Sequence, residues 1–266
     1  MFLTSHFDAG PAAEDRSAPA DAADRYRAPA LDKGLDILEV LAEQPRGLTR
    51  AEIVKLMGVS PSQIYRMLER LVVRGYVSRV EGGDRYALSM KLFNLGTRHP
   101  PLRRLVAQAQ PMMDEFAIEV RQSCHLVVPE HGHGIIIAQA SPQGHWEFRG
   151  RVGGLLDLFA TGSGLALLAF QHPDRLAETL RLWGIADAGA RLAAIAGHLA
   201  EVREQGARVA PSAQFVGVTD ISVPVRGPGD EAVAVLTCAH IDHPGEGGED
   251  SRDRALARLQ TLAASL

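Results

Sequence analysis

From Gly47 to Tyr86 the apolar positions follow two short helical periods and then a strand alternation, so the stretch reads as helix, turn, helix and hairpin. Along the second helix Ile64, Met67, Leu68 and Leu71 form the buried stripe, which leaves Ser62, Gln63, Arg66 and Arg70 on or near the opposite face. Helix starts are marked by side chains that satisfy N–H groups lacking intrahelical partners. Thr49 with Glu52 and Ser60 with Gln63 both fit the reciprocal capping box, and Pro61 suits a first helical position because it has no N–H. Gly58 can take the left-handed conformation that ends the first helix, which leaves a turn from Gly58 to Ser60. Gly75 stops the second helix, Tyr76 to Val80 alternates as a strand, Glu81-Gly82-Gly83-Asp84 turns, and Arg85 to Leu88 returns. This is the pattern of a winged helix-turn-helix, with Arg79 and Arg85 flanking the wing. Its expected partner is double-stranded DNA.

Further along, Met90 to Arg98 reads as a short linker helix broken at His99-Pro100-Pro101, because a residue before proline is pushed out of the α region. Leu102 to Arg121 has helical periodicity with a kink expected at Pro111. Strand-like CHLVV, GIIIAQA and HWEFRGRV follow. A second helical block spans Arg175 to Gly206 with a break near Gly184 to Gly189. It gives way to strands at TDISVPV and AVAVLTCAH, joined by Gly227-Pro228-Gly229-Asp230, and a last helix runs from about Asp250 to Ser265. The expected fold is α+β in two domains: a disordered tail at 1–30, the DNA-binding domain at 31–89, a linker helix and hinge at 90–101, and an antiparallel sheet flanked by helices at 102–266.

Charge sharpens the DNA reading. Residues 31–98 carry 11 Lys/Arg against 8 Asp/Glu, net +3, inside a chain whose formal charge is -4. A basic segment in an otherwise acidic chain fits phosphate binding through counterion release. The first 30 residues lack the basic start and apolar run of a signal peptide, and no apolar stretch reaches the length that spans a bilayer, so a soluble cytoplasmic protein without a membrane partner is expected. Cys124 and Cys238 are the only cysteines and belong to no CxxC pair, which argues against a disulfide scaffold.

The chain resembles transcription regulators of the IclR family. The residues that carry the resemblance are ALDKGLDILEVL, the helix-turn-helix, KLFNLG, FATGSGLALLAF, LAEVREQGARV, FVGVTDISVPV and AVAVLTCAH, in that order over roughly residues 30 to 265. The resemblance implies a winged DNA-binding domain, a linker helix and a GAF/PAS-like domain that binds a small-molecule effector. It also implies homodimers, often paired into tetramers, on palindromic operators, and control of an operon for metabolism or efflux of a small molecule. Arg50, Ser60, Ser62, Gln63, Arg66, Arg70, Arg74, Arg79 and Arg85 are the DNA-binding candidates, with Ser62, Gln63 and Arg66 set for base edges.

Ala160-Thr161-Gly162-Ser163-Gly164 follows an apolar strand and opens a helix, whose first N–H groups favour an anion or carbonyl oxygen. In the family the matching positions line the effector pocket with residues of the last two strands, which carries over to Gly162, Ser163, Val218, Asp220, Thr237 and Ala239. Two departures stand out. Leu165 replaces the family's usual lysine, and Asp220 replaces a small or weakly polar residue. A carboxylate at 220 disfavours a carboxylate effector unless an arginine such as Arg151 offsets it. Asp220 suits a hydroxyl or amine on an aromatic or other amphipathic ligand, given Leu155, Leu156, Leu158 and Phe159 nearby in sequence. No cofactor is called for.

Two other classes compete with this reading. Cys124, His125, Cys238, His240 and His243, with His131, His133 and His145, supply soft metal or redox ligands, although neighbours on a strand face opposite ways. A thiol or serine hydrolase built on Cys124 or Ser163 lacks the G-x-S-x-G elbow, because Thr161 and Leu165 stand where its glycines belong, so no enzyme is expected.

Overall fold

This computed structural model describes residues 28–80, 82–144, 147–227, 229–243 and 248–266. The tail expected at 1–30 lies outside the described residues up to position 27, and Pro29 and Ala30 already belong to a helix. Two compact units divide between Gly96 and Thr97.

The first unit contains α1 (Pro29–Ala42), β1 (Leu48–Thr49), α2 (Arg50–Met57), α3 (Pro61–Val73), β2 (Val77–Arg79), β3 (Arg85–Leu88) and most of α4 (Lys91–Thr97). Ile37, Ile53, Ile64 and Leu68 are completely buried and pack with Leu41, Val77 and Tyr86, so three helices and the hairpin share one core. The strands form a small antiparallel sheet in the order β1-β3-β2. Thr49 forms both halves of its capping box: its Oγ1 accepts from Glu52 N–H at 3.3 Å, and Glu52 Oε2 accepts from Thr49 N–H at 2.7 Å. Gly58 ends α2 at φ 64°, as the turn requires.

The second predicted box does not form. Ser60 occupies the N-cap position, but its hydroxyl lies 3.3 Å from that of Ser62 and caps no N–H. Pro61 at the first position already removes one donor from that helix start, and Gln63 is left exposed on the helix surface.

The second unit runs α5 (Pro100–Val120), β4 (Cys124–Glu130), β5 (His133–Ala140), β6 (Leu155–Asp157), α6 (Gly162–Ala169), α7 (Pro173–Leu182), α8 (Ala188–Gln205), β7 (Arg208–Pro211), β8 (Val218–Arg226), β9 (Ala232–Ile241) and α9 (Gly248–Ala264). Its six strands form one antiparallel sheet in the order β6-β5-β4-β9-β8-β7. Side-chain alternation gives that sheet two buried faces. Cys124, Leu126, Ile221, Leu236 and Cys238 pack against Met113, Phe116 and Val120 of α5 and Leu259 and Leu262 of α9. Val127, Ile136 and Val235 pack against the helices on the other side, through Leu165, Leu168, Leu180 and Leu199.

Two sequence expectations are corrected here, and one element is added. Pro100 and Pro101 do not end an element; they open α5 behind the N-cap His99, where a fixed φ and a missing N–H are assets, so the break falls one residue earlier. HWEFRGRV is no strand in its described part, residues 147–152. That segment loops over the sheet and returns to it where Gly153 N–H bonds Ile136 O at 2.7 Å, while His145 and Trp146 lie outside the described residues. The short edge strand β7 is an addition, pairing Arg208 with Ser222 and Ala210 with Asp220. Among the described residues no helix is long and apolar enough to cross a membrane.

Candidate functional site

The first unit presents α3 with its apolar side held in the core by Ile64 and Leu68 and with Ser62, Gln63 and Arg66 exposed. Those three share a shallow surface with Pro29, Ala30 and Lys33 at the start of α1. A second concavity lies between the starts of α2 and α3 and the wing, and it is lined by Arg50, Arg79 and Tyr86. The arginines there are held in place. Arg50 donates to Tyr86 Oη at 3.2 Å and stacks 4.6 Å from the Tyr65 ring centroid. Arg79 pairs with Glu69 at 2.6 Å and lies over the Tyr86 ring, and Arg85 reaches Gly47 O at 2.9 Å and Glu52 at 3.3 Å. Arg70 and Arg74 fall elsewhere, in an apolar groove with Leu31, Leu35, Leu92 and Leu95. Helical spacing had set Arg70 near the base-reading face; the α1 and α4 packing puts it beside this groove instead.

In the second unit a cavity of about 290 Å³ opens between the start of α6 and the sheet. Its back wall follows from register. His125 of β4, Thr237 of β9 and Ser222 of β8 are successive cross-strand partners, with Arg208 of β7 beyond them, so four polar side chains occupy one row. Thr237 joins the row to the helix: its Oγ1 lies 2.8 Å from Ser163 Oγ and donates to Ser222 Oγ at 2.9 Å. Asp220 stands one step along β8, opposite Ala239.

Glycine at 162 and 164 is required by contact rather than by φ. A Cβ at Gly164 would lie 2.4 Å from Leu158 Cα, and one at Gly162 would lie 2.9 Å from Asp220 Cβ. Thr161 caps the helix, accepting from Gly164 N–H at 3.1 Å while donating to Asp157 O at 2.7 Å.

Gly162, Ser163, Asp220, Thr237 and Ala239 line this one cavity. Val218 does not; it is buried at the start of β8, where its carbonyl accepts Ser212 N–H at 2.8 Å and ties down the rim loop. Of the apolar residues expected around a ligand only Leu156 lines the space. Leu155 points outward, Leu158 is buried beneath α6, and Phe159 lies under the Arg191 guanidinium. Sequence reasoning missed Phe148 and Phe215, which meet edge to face with centroids 5.1 Å apart and close the cavity from two loops. The only signal was an aromatic residue in each of two segments without helical period.

Burial governs the titratable groups. It pushes the His125 imidazole down to about 4, so the ring is neutral near pH 7 and offers one donor and one acceptor. It also pushes the Asp220 carboxyl up, against the Ser212 hydroxyl, the Arg208 charge and the Gly162 N–H, all of which favour its ionised form.

The metal and hydrolase readings lose their geometry. Cys124 and Cys238 are cross-strand partners in the α5/α9 core, whereas His125 faces the cavity on the other side of the sheet. His240 is buried against Ser251 at 3.0 Å, and His131 and His243 are exposed. No cluster of His, Cys, Asp and Glu able to hold a metal occurs among the described residues. Burial pushes the Cys124 thiol up to about 12 and that of Cys238 well above its usual value, so neither is a thiolate near neutrality. Ser163 Oγ hydrogen-bonds Thr237 Oγ1, and among the described residues no His, Asp or Glu hydrogen-bonds it.

A winged helix-turn-helix joined in one chain to an α+β unit with a small, partly polar cavity defines a DNA-binding regulator with an effector domain. Residues 102–264 match the family described as bacterial transcriptional regulator IclR C-terminal, and residues 30–81 match the IclR helix-turn-helix domain. The chain belongs to the IclR family of transcriptional regulators, which are not enzymes. It is 26% identical to the DNA-binding transcriptional repressor YiaJ of Escherichia coli (strain K12), over 80% of this chain and 76% of that protein. An identity of 27% to the Pca regulon regulatory protein of Pseudomonas putida extends over 77% of this chain and 72% of that protein. Among solved structures, an IclR homologue from Microbacterium hydrocarbonoxydans complexed with 4-hydroxybenzoate shares the fold at TM-score 0.69 and 24% identity, covering 89% of this chain and 96% of that one.

Proposed function

We propose that this regulator acts in the cytoplasm as a homodimer, able to pair further into a tetramer, on a palindromic operator. Ser62, Gln63 and Arg66 read base edges, and a small-molecule effector in the cavity lined by Gly162, Ser163, Asp220, Thr237 and Ala239 changes DNA affinity. The observation that carries the DNA reading is the joint exposure of Ser62, Gln63 and Arg66 on α3 while Ile64 and Leu68 anchor the other side. Arginine suits the O6 and N7 acceptors of guanine and glutamine suits adenine, and a major groove admits one helix. Arg50 and Arg79 in the adjoining concavity, with Arg85 behind them, are the phosphate contacts, and Ser60 stands at the helix start. Arg70 and Arg74 add to the local positive field. The exposed Leu31, Leu35, Leu92 and Leu95 form an apolar groove that a second copy of the chain would cover. Effector binding then acts by favouring one arrangement of the paired DNA-binding units over another. The operon controlled serves metabolism or efflux of the effector.

The test is operator selection followed by competition binding. Arg66→Ala is expected to cost about 1–3 kcal/mol on the selected operator and far less on random DNA, so that discrimination falls. If the variant keeps the parent's discrimination, α3 does not read bases through Arg66.

A further inference from the structure

The cavity already holds a carboxyl group of its own at the start of α6. A helix start is where a ligand carboxylate would find free N–H groups. In α6 one of these, on Gly164, is taken by Thr161 Oγ1, and the carboxyl of Asp220 stands beside another, on Gly162. The Asp220 side chain lies so close that a Cβ on Gly162 would meet its Cβ at 2.9 Å and its Oδ2 at 3.2 Å. Arg208 supports the charge from the next strand, with Nη1 buried and without a hydrogen-bond partner among the described residues. Asp220 thus fills the seat that a ligand carboxylate would take.

The remaining inner wall is made of groups that both give and take protons. Ser163 and Thr237 line the cavity with hydroxyls linked to the buried Ser222, a chain that can reverse its donor sense, and the neutral His125 ring has no hydrogen-bond partner among the described residues. A carboxylate has no proton to give Asp220 and an ammonium has no lone pair to accept from the hydroxyls, so either leaves a group unmatched. A hydroxyl donates to Asp220 and accepts from the wall at once. The side walls are apolar and flat: Ile136 and Leu156 face the edge-to-face pair Phe148 and Phe215. The volume, near the lower end for ligand sites, suits a single ring. The cations that line the space sit outside: Arg149 is engaged with Glu147 at 3.3 Å, and Arg151 is exposed.

We propose that the cavity takes a small hydroxylated aromatic compound hydroxyl-first, with the phenolic O–H on Asp220 and the Ser163–Thr237 pair, and that any carboxylate on the ligand faces outward to Arg151. The proposal rests on the effector-site reading above. It inverts the polarity expected of a helix-start site, because the chain supplies the anion and the ligand supplies the proton.

Calorimetric titration of the full chain with 4-methylphenol and 4-methylbenzoate, rings alike but for the polar group, tests it. The phenol is expected to bind at least about tenfold tighter than the benzoate, and Asp220→Asn is expected to shrink that ratio about tenfold or more by removing the charge and keeping the shape. Arg151→Ala should weaken 4-hydroxybenzoate and leave 4-methylphenol unchanged. The wild-type ratio needs no variant, so misfolding of Asp220→Asn cannot shelter the idea. A benzoate bound as tightly as the phenol, and lost on Phe215→Ala, would overturn this inference while the effector site stands. Failure of every ring to bind would overturn both.

Discussion

Arg79 has its guanidinium 2.6 Å from Glu69 and 5.5 Å from the Tyr86 ring, so a DNA phosphate must compete with a carboxylate already in place. The competition is mild, because an exposed ion pair of this kind contributes about 0–1 kcal/mol. Glu69 belongs to α3 itself and holds the wing arginine against the helix. Glu69→Gln keeps the shape and removes the charge. It is expected to tighten binding to random DNA a few-fold, whereas Arg79→Ala should weaken operator and random DNA alike and flatten the dependence of log K on log salt by about 0.9, the loss of one phosphate contact. Filter binding across a salt series checks this, and an unchanged slope would mean that Arg79 does not reach DNA. The same logic separates the arginines by role: Arg66 has no partner to leave among the described residues, whereas Arg50, Arg79 and Arg85 are pre-positioned by aromatic and carboxylate neighbours.

At the level of elements, the two helix starts of the DNA-binding unit look alike in sequence and differ in construction. Thr49 closes a reciprocal box with Glu52, whose carboxyl is held below the usual carboxylate range by the Thr49 N–H and hydroxyl, then by Arg85. Ser60 closes none. Thr49→Ala is therefore expected to cost roughly 1 kcal/mol of stability in chemical denaturation, and Ser60→Ala a few tenths or less. Equal losses would contradict the geometry. The contrast marks how far the sequence could be read. Elements with strong periodicity or fixed punctuation, α2, α3, the wing and the paired strands β8 and β9, are legible because local chemistry decides them. The prolines at 100 and 101 can either stop or start a helix, and only the docking of α5 onto the sheet through Met113 and Phe116 chooses. The cavity was half legible. Gly162, Ser163, Asp220, Thr237 and Ala239 came from the family resemblance, with strand alternation supporting the last three, while Phe148 lies in a segment read as a strand and Phe215 in a loop. His125 carried a metal-ligand signal in sequence and became a cavity wall residue once β4 paired with β9.

For the whole molecule the question is how one helix of this size recognises a long operator. A single α3 exposing Ser62, Gln63 and Arg66 reaches only a few base pairs, which is too little to stand out among genomic competitors. Two copies joined along the groove of Leu31, Leu35, Leu92 and Leu95 would read two half-sites whose spacing is set by the protein. Half-sites on one face of DNA repeat with the helical turn, so inserting about 5 bp between them rotates one half-site to the far side of the duplex. Affinity for such an operator is expected to fall to about that of an isolated half-site, because the second contact can no longer be made without deforming DNA or protein. Leu35→Glu, which puts a charge in the groove, should produce the same low affinity on the unaltered operator and make it insensitive to the insertion. Gel-shift titration of the two operators with both proteins checks this directly. If the insertion leaves wild-type affinity unchanged, the half-sites are read independently and the dimer along this groove is wrong. If Leu35→Glu retains the spacing dependence, the copies are joined through another surface.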